Sequence, residues 1–368
     1  MLQLILKKAS ELGASDIHLK TGSVPIVRAK KKLIKLQDFP ALDERIMEMI
    51  LREVIEKNRK KVAEFEEYGE VDTSYSLPGV ARYRVNAFKQ RTTIAMALRT
   101  IPYKVPPFES LNLPEVLKTT TLENTKGLIL VTGPTGSGKS TTLAALIDAI
   151  NSTQDRVIVT IEDPIEYLHS DKMSYIVQRE VGLDTSSFSK GLRAALREDP
   201  DVILVGEIRD AETALIGLQA AETGHLVMST LHTLDAKETI NRIVGMFSLE
   251  VREQIRMQLA QTLVAISSQR LVPKADGSGI RVAAEILINT ASIRECIIDP
   301  AKFEEIPALL EKGRPIYGTQ TFDQHLELLY REGVIDFKTA MMYANRPSDL
   351  ELKLRGVSSG GATGGYFS

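Results

Sequence analysis

The sequence predicts an α/β fold with a smaller α+β domain at its amino-terminal end, and three observations predict it. Residues 126–150 read as a strand, a glycine-rich loop and a helix. Beyond them, continuous apolar runs at 157–161, 202–205 and 226–230 alternate with helical stretches, the pattern of strands covered on both faces. Before them, the first hundred residues mix short helical and strand signals and end in a proline-interrupted connector. With 368 residues, 43% of them hydrophobic, the chain can bury two cores of domain size.

Residues 2–12 place apolar side chains at helical spacing and stop at Gly13. Short strands are expected at 17–19 and 26–28, separated by Gly22 and Pro25, and one long amphipathic helix over 42–65. Strands follow at 71–75 and 80–98, turning at Pro78-Gly79. Within Ala81-Arg-Tyr-Arg-Val-Asn-Ala-Phe88, strict alternation puts Arg82 and Arg84 on one face and Tyr83 and Val85 on the other, so two guanidiniums project together. Lys30-Lys31-Lys32 with Lys35 reads as a solvated turn rather than a basic site. The connector Ile101-Pro-Tyr-Lys-Val-Pro-Pro107 resists both helix and central strand. It sets the expected organisation: a domain over 1–100, a hinge linker over 101–110, a larger domain over 111–355 and a flexible Gly/Ser tail over 356–368.

In the larger domain, 128–132 is the strand that leads into Gly133-Pro-Thr-Gly-Ser-Gly-Lys-Ser140. Two glycines followed by Lys and Ser, between a strand and a helix, form a phosphate loop. Glycine permits the tight backbone that turns amide N–H groups inward, and the helix N-terminus adds partial positive charge. The expected nucleotide-binding set is Gly133, Pro134, Thr135, Gly136, Ser137, Gly138, Lys139, Ser140 and Thr141. Lys139 would reach the outer phosphates of ATP, and the Ser140 hydroxyl would ligate Mg²⁺. After residue 231 the pattern turns mostly helical, apart from a hairpin around Asp276-Gly-Ser-Gly279.

Composition narrows the partners. A net charge of −2 gives no electrostatic footprint for nucleic acid. Cys296 is the only cysteine, which excludes an internal disulfide and a cysteine-built zinc site and suits a reducing cytoplasm. The Met1-Leu-Gln-Leu-Ile-Leu6 run is too short for a signal-peptide core, and no stretch reaches the ~20 apolar residues of a membrane span, so membrane contact is expected only through a partner.

Ligands of α/β sheets gather where strands end. Residues 157–161 are followed by Glu162-Asp-Pro-Ile-Glu166, 202–205 by Gly206-Glu207-Ile-Arg209-Asp210, and 226–230 by Leu231-His232. A single acid there is commonly a helix cap; three such ends beside a phosphate loop point to hydrolysis. That chemistry needs a carboxylate to deprotonate or position water, another to hold Mg²⁺, and a group that senses the γ-phosphate. Gly206 stands where the commonest pattern has a metal-binding Asp, which leaves Glu207 alone and shifts acidic work to 162–166. His225 and His232, each taken singly, read as ordinary partly buried histidines.

These segments resemble the Walker A, Asp box, Walker B and His box of the secretion-superfamily ATPases, in that order along the chain. Ala14-Ser-Asp-Ile-His-Leu19 and Arg82-Tyr-Arg-Val-Asn86 resemble the amino-terminal domain of one branch, the type IV pilus retraction ATPases. The resemblance implies a PAS-like amino-terminal domain hinged to a RecA-like P-loop NTPase domain in a hexameric ring, at the cytoplasmic face of the inner membrane beneath a pilus platform protein. It implies an ATPase motor that retracts pili in twitching motility. By position it makes Glu166 the water-activating base, Glu207 the Walker B glutamate near Mg²⁺ and His232 the γ-phosphate contact. It also gives Arg84 and Arg99 the place of arginines brought from the amino-terminal domain onto the nucleotide. Pilus-assembly and type II secretion ATPases resemble the same core but usually carry a four-cysteine zinc subdomain. The branch motif Ala-Ile-Arg-Asn-Leu-Ile-Arg-Glu is met here by Ser292-Ile-Arg-Glu-Cys-Ile-Ile-Asp299, where Ile293 and Arg294 match and Glu295, Cys296 and Asp299 do not. A non-hydrolysing adaptor ring and a nucleic-acid translocase stand as alternatives.

Overall fold

The structure is a computed structural model that describes residues 1–101 and 105–355; the linker residues 102–104 and the tail 356–368 lie outside the described residues. The chain divides into two compact units. The first comprises Met1–Val105, Glu162–Ser170 and Arg179–Ser186, the second Pro106–Ile161, Asp171–Gln178 and Ser187–Ser368.

The first unit is α+β. Its six strands are β1 (Ala14–Lys20), β2 (Ile26–Ala29), β3 (Lys32–Lys35), β4 (Glu70–Leu77), β5 (Ala81–Gln90) and β6 (Thr93–Ile101). They form an antiparallel sheet in the order β3-β2-β1-β6-β5-β4. Helices Leu2–Glu11, Glu44–Ile55 and Arg59–Tyr68 supply the opposing layer, and Leu2, Ile5, Leu6, Met47, Ile50, Tyr83, Val85 and Leu98 lie in one core. Alternation along β5 holds as read: Tyr83 and Val85 are buried, while Arg82 and Arg84 face the other way.

Three expectations for this unit need correction. The helix over 42–65 is two helices, because Asn58 leaves helical geometry and its carboxamide oxygen caps the second by accepting from the Lys60 and Lys61 N–H groups. The strand over 80–98 is two strands joined by Arg91-Thr92, both at positive φ. β3, unforeseen, follows β2 through the same kind of two-residue turn at Lys30-Lys31. The left-handed backbone conformation of such turns normally advertises itself with Asn-Gly or Asp-Gly, and neither sequence does.

The second unit is α/β. Its strands are β7 (Gly127–Thr132), β8 (Val157–Glu162), β9 (Tyr175–Glu180), β10 (Val202–Val205), β11 (Leu226–Leu231), β12 (Leu263–Pro273) and β13 (Ile280–Ile288). The sheet order is β13-β12-β7-β11-β10-β8-β9. β12, β7, β11, β10 and β8 run parallel, and β13 closes the edge antiparallel to β12. β7, β10 and β11 are buried at every position, as continuous apolar runs require. Their C-terminal ends lie in register and deliver the candidate residues to one edge. Helices Phe322–Arg331, Phe337–Tyr343 and Pro347–Leu354 enclose a second, smaller core around Phe322, Leu326 and Leu329.

Here the correction concerns 231–288. The expected hairpin at Asp276-Gly-Ser-Gly279 is present and joins β12 to β13, but its arms run to eleven and nine residues and occupy much of a stretch otherwise expected to be helical. β9 was also not expected. No described helix is long and apolar enough to cross a membrane.

Candidate functional site

The phosphate loop springs from β7. Gly133, Gly136 and Gly138 all have positive φ, and helix Lys139–Thr153 begins directly after Gly138. The first glycine is the most constrained. At φ +143° a Cβ on Gly133 would lie 2.4 Å from Gln269 O and 2.5 Å from Ser137 Oγ, so no other residue fits without moving β12 or the loop. Ser137 Oγ is buried and makes no hydrogen bond, an orphaned polar atom inside the cradle.

Lys139 is 8% exposed. Its ammonium donates to Gly133 O at 2.9 Å and Pro134 O at 3.0 Å and stands 3.5 Å from His232 Nδ1. An ammonium carries only donors, so Nδ1 is the acceptor in that contact. The ring proton then sits on Nε2, which lies 3.5 Å from Glu207 Oε1. Glu207 Oε2 accepts from Arg209 Nε at 2.8 Å. The structure therefore gathers Lys139, His232 and Glu207 at the ends of β7, β11 and β10.

Local hydrogen bonds fix these ends. Gly206 N–H donates to Ile161 O and Ile208 N–H to Thr230 O. The Thr230 hydroxyl donates to Gly206 O at 2.7 Å and the Ser229 hydroxyl to Val205 O at 2.6 Å, so the turn carrying Glu207 is tied to β11 on both sides. Asp210 caps helix Ala211–Glu222 through Thr213 N–H, and Asp235 caps helix Ala236–Gly245 through Glu238 N–H, each worth about 1 kcal/mol. His225, which precedes β11, presents Nδ1 2.9 Å from Ala220 O and 3.4 Å from Thr223 Oγ1, an assignment to helix-end structure rather than to the site.

The remaining candidates belong to the first unit. Glu166 is exposed, and its N–H donates to Glu162 Oε2 at 3.4 Å. Arg84 and Arg99 are directly opposite each other on β5 and β6, both exposed. Arg99 Nε donates to Asp16 Oδ1 at 3.0 Å. Partial burial pushes the Asp16 carboxyl up, but a hydrogen bond from Ser15 and the Arg99 guanidinium outweigh it and hold the group below its ordinary range. Arg82 has a different fate. It donates to Ser74, Ser76 and Glu180, and Glu180 Oε2 also accepts from Ile165 N–H at 3.2 Å, next to Glu166. Arg82 is thus committed to holding the acidic segment, while Arg84 and Arg99 face outward.

Three residues of this machinery escaped the sequence reading. Gln269 of β12 sets the wall against Gly133 and hydrogen-bonds Thr142 of the loop's helix. Ser268 pairs its hydroxyl with Thr132, the residue before the loop, at 2.8 Å. Glu285 of β13 accepts from Ala236 N–H at 2.9 Å. The signal for the first two was a Ser-Ser-Gln triplet inside an apolar run.

Ser140 and Glu207 supply the hard oxygens that suit Mg²⁺, which takes one or two protein oxygens and completes its shell with phosphate and water. Among the described residues no three His, Cys, Asp or Glu side chains gather into a metal cage.

Comparison with known proteins gives a consistent picture. The chain is 43% identical to the type IV pilus retraction ATPase PilT of Pseudomonas aeruginosa, over 94% of this chain and 98% of that one. It is 44% identical to a twitching motility protein of Neisseria gonorrhoeae, over 89% and 87%. A crystal structure of the pilus retraction motor PilT with bound ADP matches at TM-score 0.86 and 47% identity, covering 95% of this chain and 98% of that one. The Legionella pneumophila ATPase DotB matches at TM-score 0.79 and 29% identity, over 97% and 96%. The family model for Type II/IV secretion system protein matches residues 1–334. The chain belongs to the Type II/IV secretion system protein family.

Proposed function

We propose that the protein is an ATP-hydrolysing motor that retracts type IV pili, working as a homo-hexameric ring at the cytoplasmic face of the inner membrane against a platform protein. The observation that carries the chemistry is the Lys139–His232–Glu207 constellation over a phosphate loop whose first glycine is sterically obligatory. The near full-length similarity to a pilus retraction ATPase supports the biological role.

In this reading the loop amides and Lys139 bind the outer phosphates. His232 has one N–H, on Nε2, which turns from Glu207 to the γ-phosphate when nucleotide binds. Glu166 takes a proton from the attacking water, and Glu207 orients His232 and, with Ser140, would hold Mg²⁺. That ion, when bound, neutralises phosphate charge. Arg84 and Arg99 carry positive charge on a separate unit. Their attraction to a triphosphate, relaxed when phosphate leaves, converts hydrolysis into domain movement.

Phosphate release from purified protein with ATP tests the reading. We expect turnover that Lys139→Ala abolishes. Intact ATP binding without turnover in the unaltered chain would leave an adaptor ring instead, and an unchanged rate in Lys139→Ala would refute the phosphate-loop assignment.

A further inference from the structure

A row of buried polar side chains crosses the β13-β12-β7 part of the sheet. Glu285, Ser268 and Thr132 occupy matched register positions on β13, β12 and β7, and all three are buried. Such residues in a sheet interior are expensive unless their bonds are made. Here the bonds converge on the helix that follows His232. Glu285 accepts from Ala236 N–H, the first amide of helix Ala236–Gly245. Thr132 and Ser268 share a hydrogen bond, and the Thr239 hydroxyl stands 3.5 Å from Thr132. Thr239 in turn pairs with Thr233, the neighbour of His232, at 2.7 Å.

The segment from His232 to Ala236 is therefore held at both ends, by β11, which terminates at Leu231 opposite Thr132, and by Glu285 at the Ala236 N–H four residues beyond the histidine, with Thr233 on Thr239 and the Leu234 N–H on Glu238 between them. Between those ends the His232 and Leu234 side chains are exposed, and among the described residues the imidazole itself has two contacts of 3.5 Å, so its place follows that of the backbone that carries it. We propose that Glu285 is a positioning residue for hydrolysis, fixing where His232 stands by docking the Ala236 amide, an assignment that rests on the function proposed above. Glu285 never approaches the loop glycines in the hydrogen-bond network. Its action on the reaction runs through the position of one side chain, the kind of displacement to which rate is far more sensitive than binding.

The test is a double-mutant cycle on the full-length chain, reading ATP turnover together with affinity for a fluorescent ADP analogue. Glu285→Asp withdraws the acceptor by one methylene and keeps its charge; it is expected to lower kcat about tenfold or more while ADP affinity stays within about threefold of wild type. Glu285→Gln keeps an acceptor oxygen in place and is expected to retain kcat within about threefold. With His232→Ala already present, Glu285→Asp should add no further loss, because both act through one group. The proposal is overturned by a wild-type kcat in Glu285→Asp, by ADP affinity falling in parallel with kcat, or by losses that multiply in the double variant. Failure of the underlying function has a different signature: His232→Ala turning over at the wild-type rate removes the role of the histidine itself and overturns both.

Discussion

Two buried titratable groups on the same hairpin and its covering helix should give the protein a pH-stability curve whose flatness is a cancellation. Glu285 is 5% exposed and His325, on helix Phe322–Arg331, is 4% exposed, with Nδ1 accepting from Ala284 N–H at 2.9 Å. Burial pushes the Glu285 carboxyl from its ordinary 4.5 up to about 7; Asp235 and Asp323 add to this, while the Ala236 N–H and Arg270 oppose it. Burial pulls the His325 imidazole from 6.5 down to about 4, aided by Arg281 and Arg314. The signs follow from which state binds more protons. Between pH 4.5 and 7 the folded chain holds a proton on Glu285 that the unfolded chain has released, so stability falls as pH rises, by about 3 kcal/mol across the window. Between pH 6.5 and 4 the unfolded chain protonates His325 and the folded chain does not, so stability falls as pH drops, again by about 3 kcal/mol. Single variants expose each arm. Relative to wild type, Glu285→Gln should gain about 3 kcal/mol on going from pH 4.5 to 7. His325→Asn, whose side-chain oxygen can still accept from Ala284 N–H, should gain a similar amount on going from pH 6.5 to 4. Urea titrations followed by circular dichroism at stepped pH measure these differences, in which all other titrations cancel. Differences that stay constant to within about 1 kcal/mol over both windows would refute the reasoning.

The other predictions concern the site. Gly133→Ala forces a Cβ against Gln269 O at 2.4 Å in a backbone region that costs about 1–3 kcal/mol for a non-glycine residue, and should weaken ATP binding at least tenfold by equilibrium titration. Gly136→Ala, at φ +79° with nothing within 4 Å, should cost only the backbone penalty of about 1–2 kcal/mol and bind ATP more tightly than Gly133→Ala. Glu166→Gln should preserve ATP binding and lower kcat by about 10² or more, the scale of losing a general base; a larger chemical defect in Glu207→Gln, with single-turnover kinetics, would reverse the roles assigned to the two acids. Arg84→Ala and Arg99→Ala should lower kcat with little change in thermal midpoint, since both side chains are exposed and the Arg99–Asp16 pair lies at the surface, whereas Arg82→Ala should lower the midpoint as well by uncovering buried Glu180.

How far the sequence discloses this structure depends on whether the determining contacts are local. The phosphate loop was legible because strand, glycines and helix are contiguous, and the bounds of β10 match the apolar run of four residues. The shared face of Arg82 and Arg84 was legible from alternation alone. Their divergence was not, because it depends on Glu180, ninety-eight positions away. The turns at Lys30-Lys31 and Arg91-Thr92 were hidden because ordinary residues occupy left-handed positions that strand pairing compels. The hairpin at Asp276-Gly-Ser-Gly279 implies an arm on either side, but the length of β12 is hidden because Ser267, Ser268 and Gln269 interrupt its apolar run, and all three are fully buried in the folded chain. Polar residues in a buried strand look like noise in a hydropathy pattern until their partners on other strands are in place.

Three positions of β12 and β13, Ser268, Gln269 and Glu285, explain why the motif-bearing segments do not suffice by themselves. Every box that marks this chain as an ATPase lies between residues 133 and 232, yet the geometry of the first box is set by Gln269, which excludes a Cβ at Gly133 and binds Thr142. The strand that launches the loop is pinned at Thr132 by Ser268, and the segment beyond the last box is pinned at Ala236 by Glu285. Each such bond contributes only about 1 kcal/mol net, but leaving its buried partner unmade costs about 1–3 kcal/mol, so the row is stable only when complete. A chain carrying all four boxes but ending before β12 would retain every chemical group named here and still present them on loops with neither wall nor anchor. The hairpin that carries no motif is therefore what makes the motifs a site.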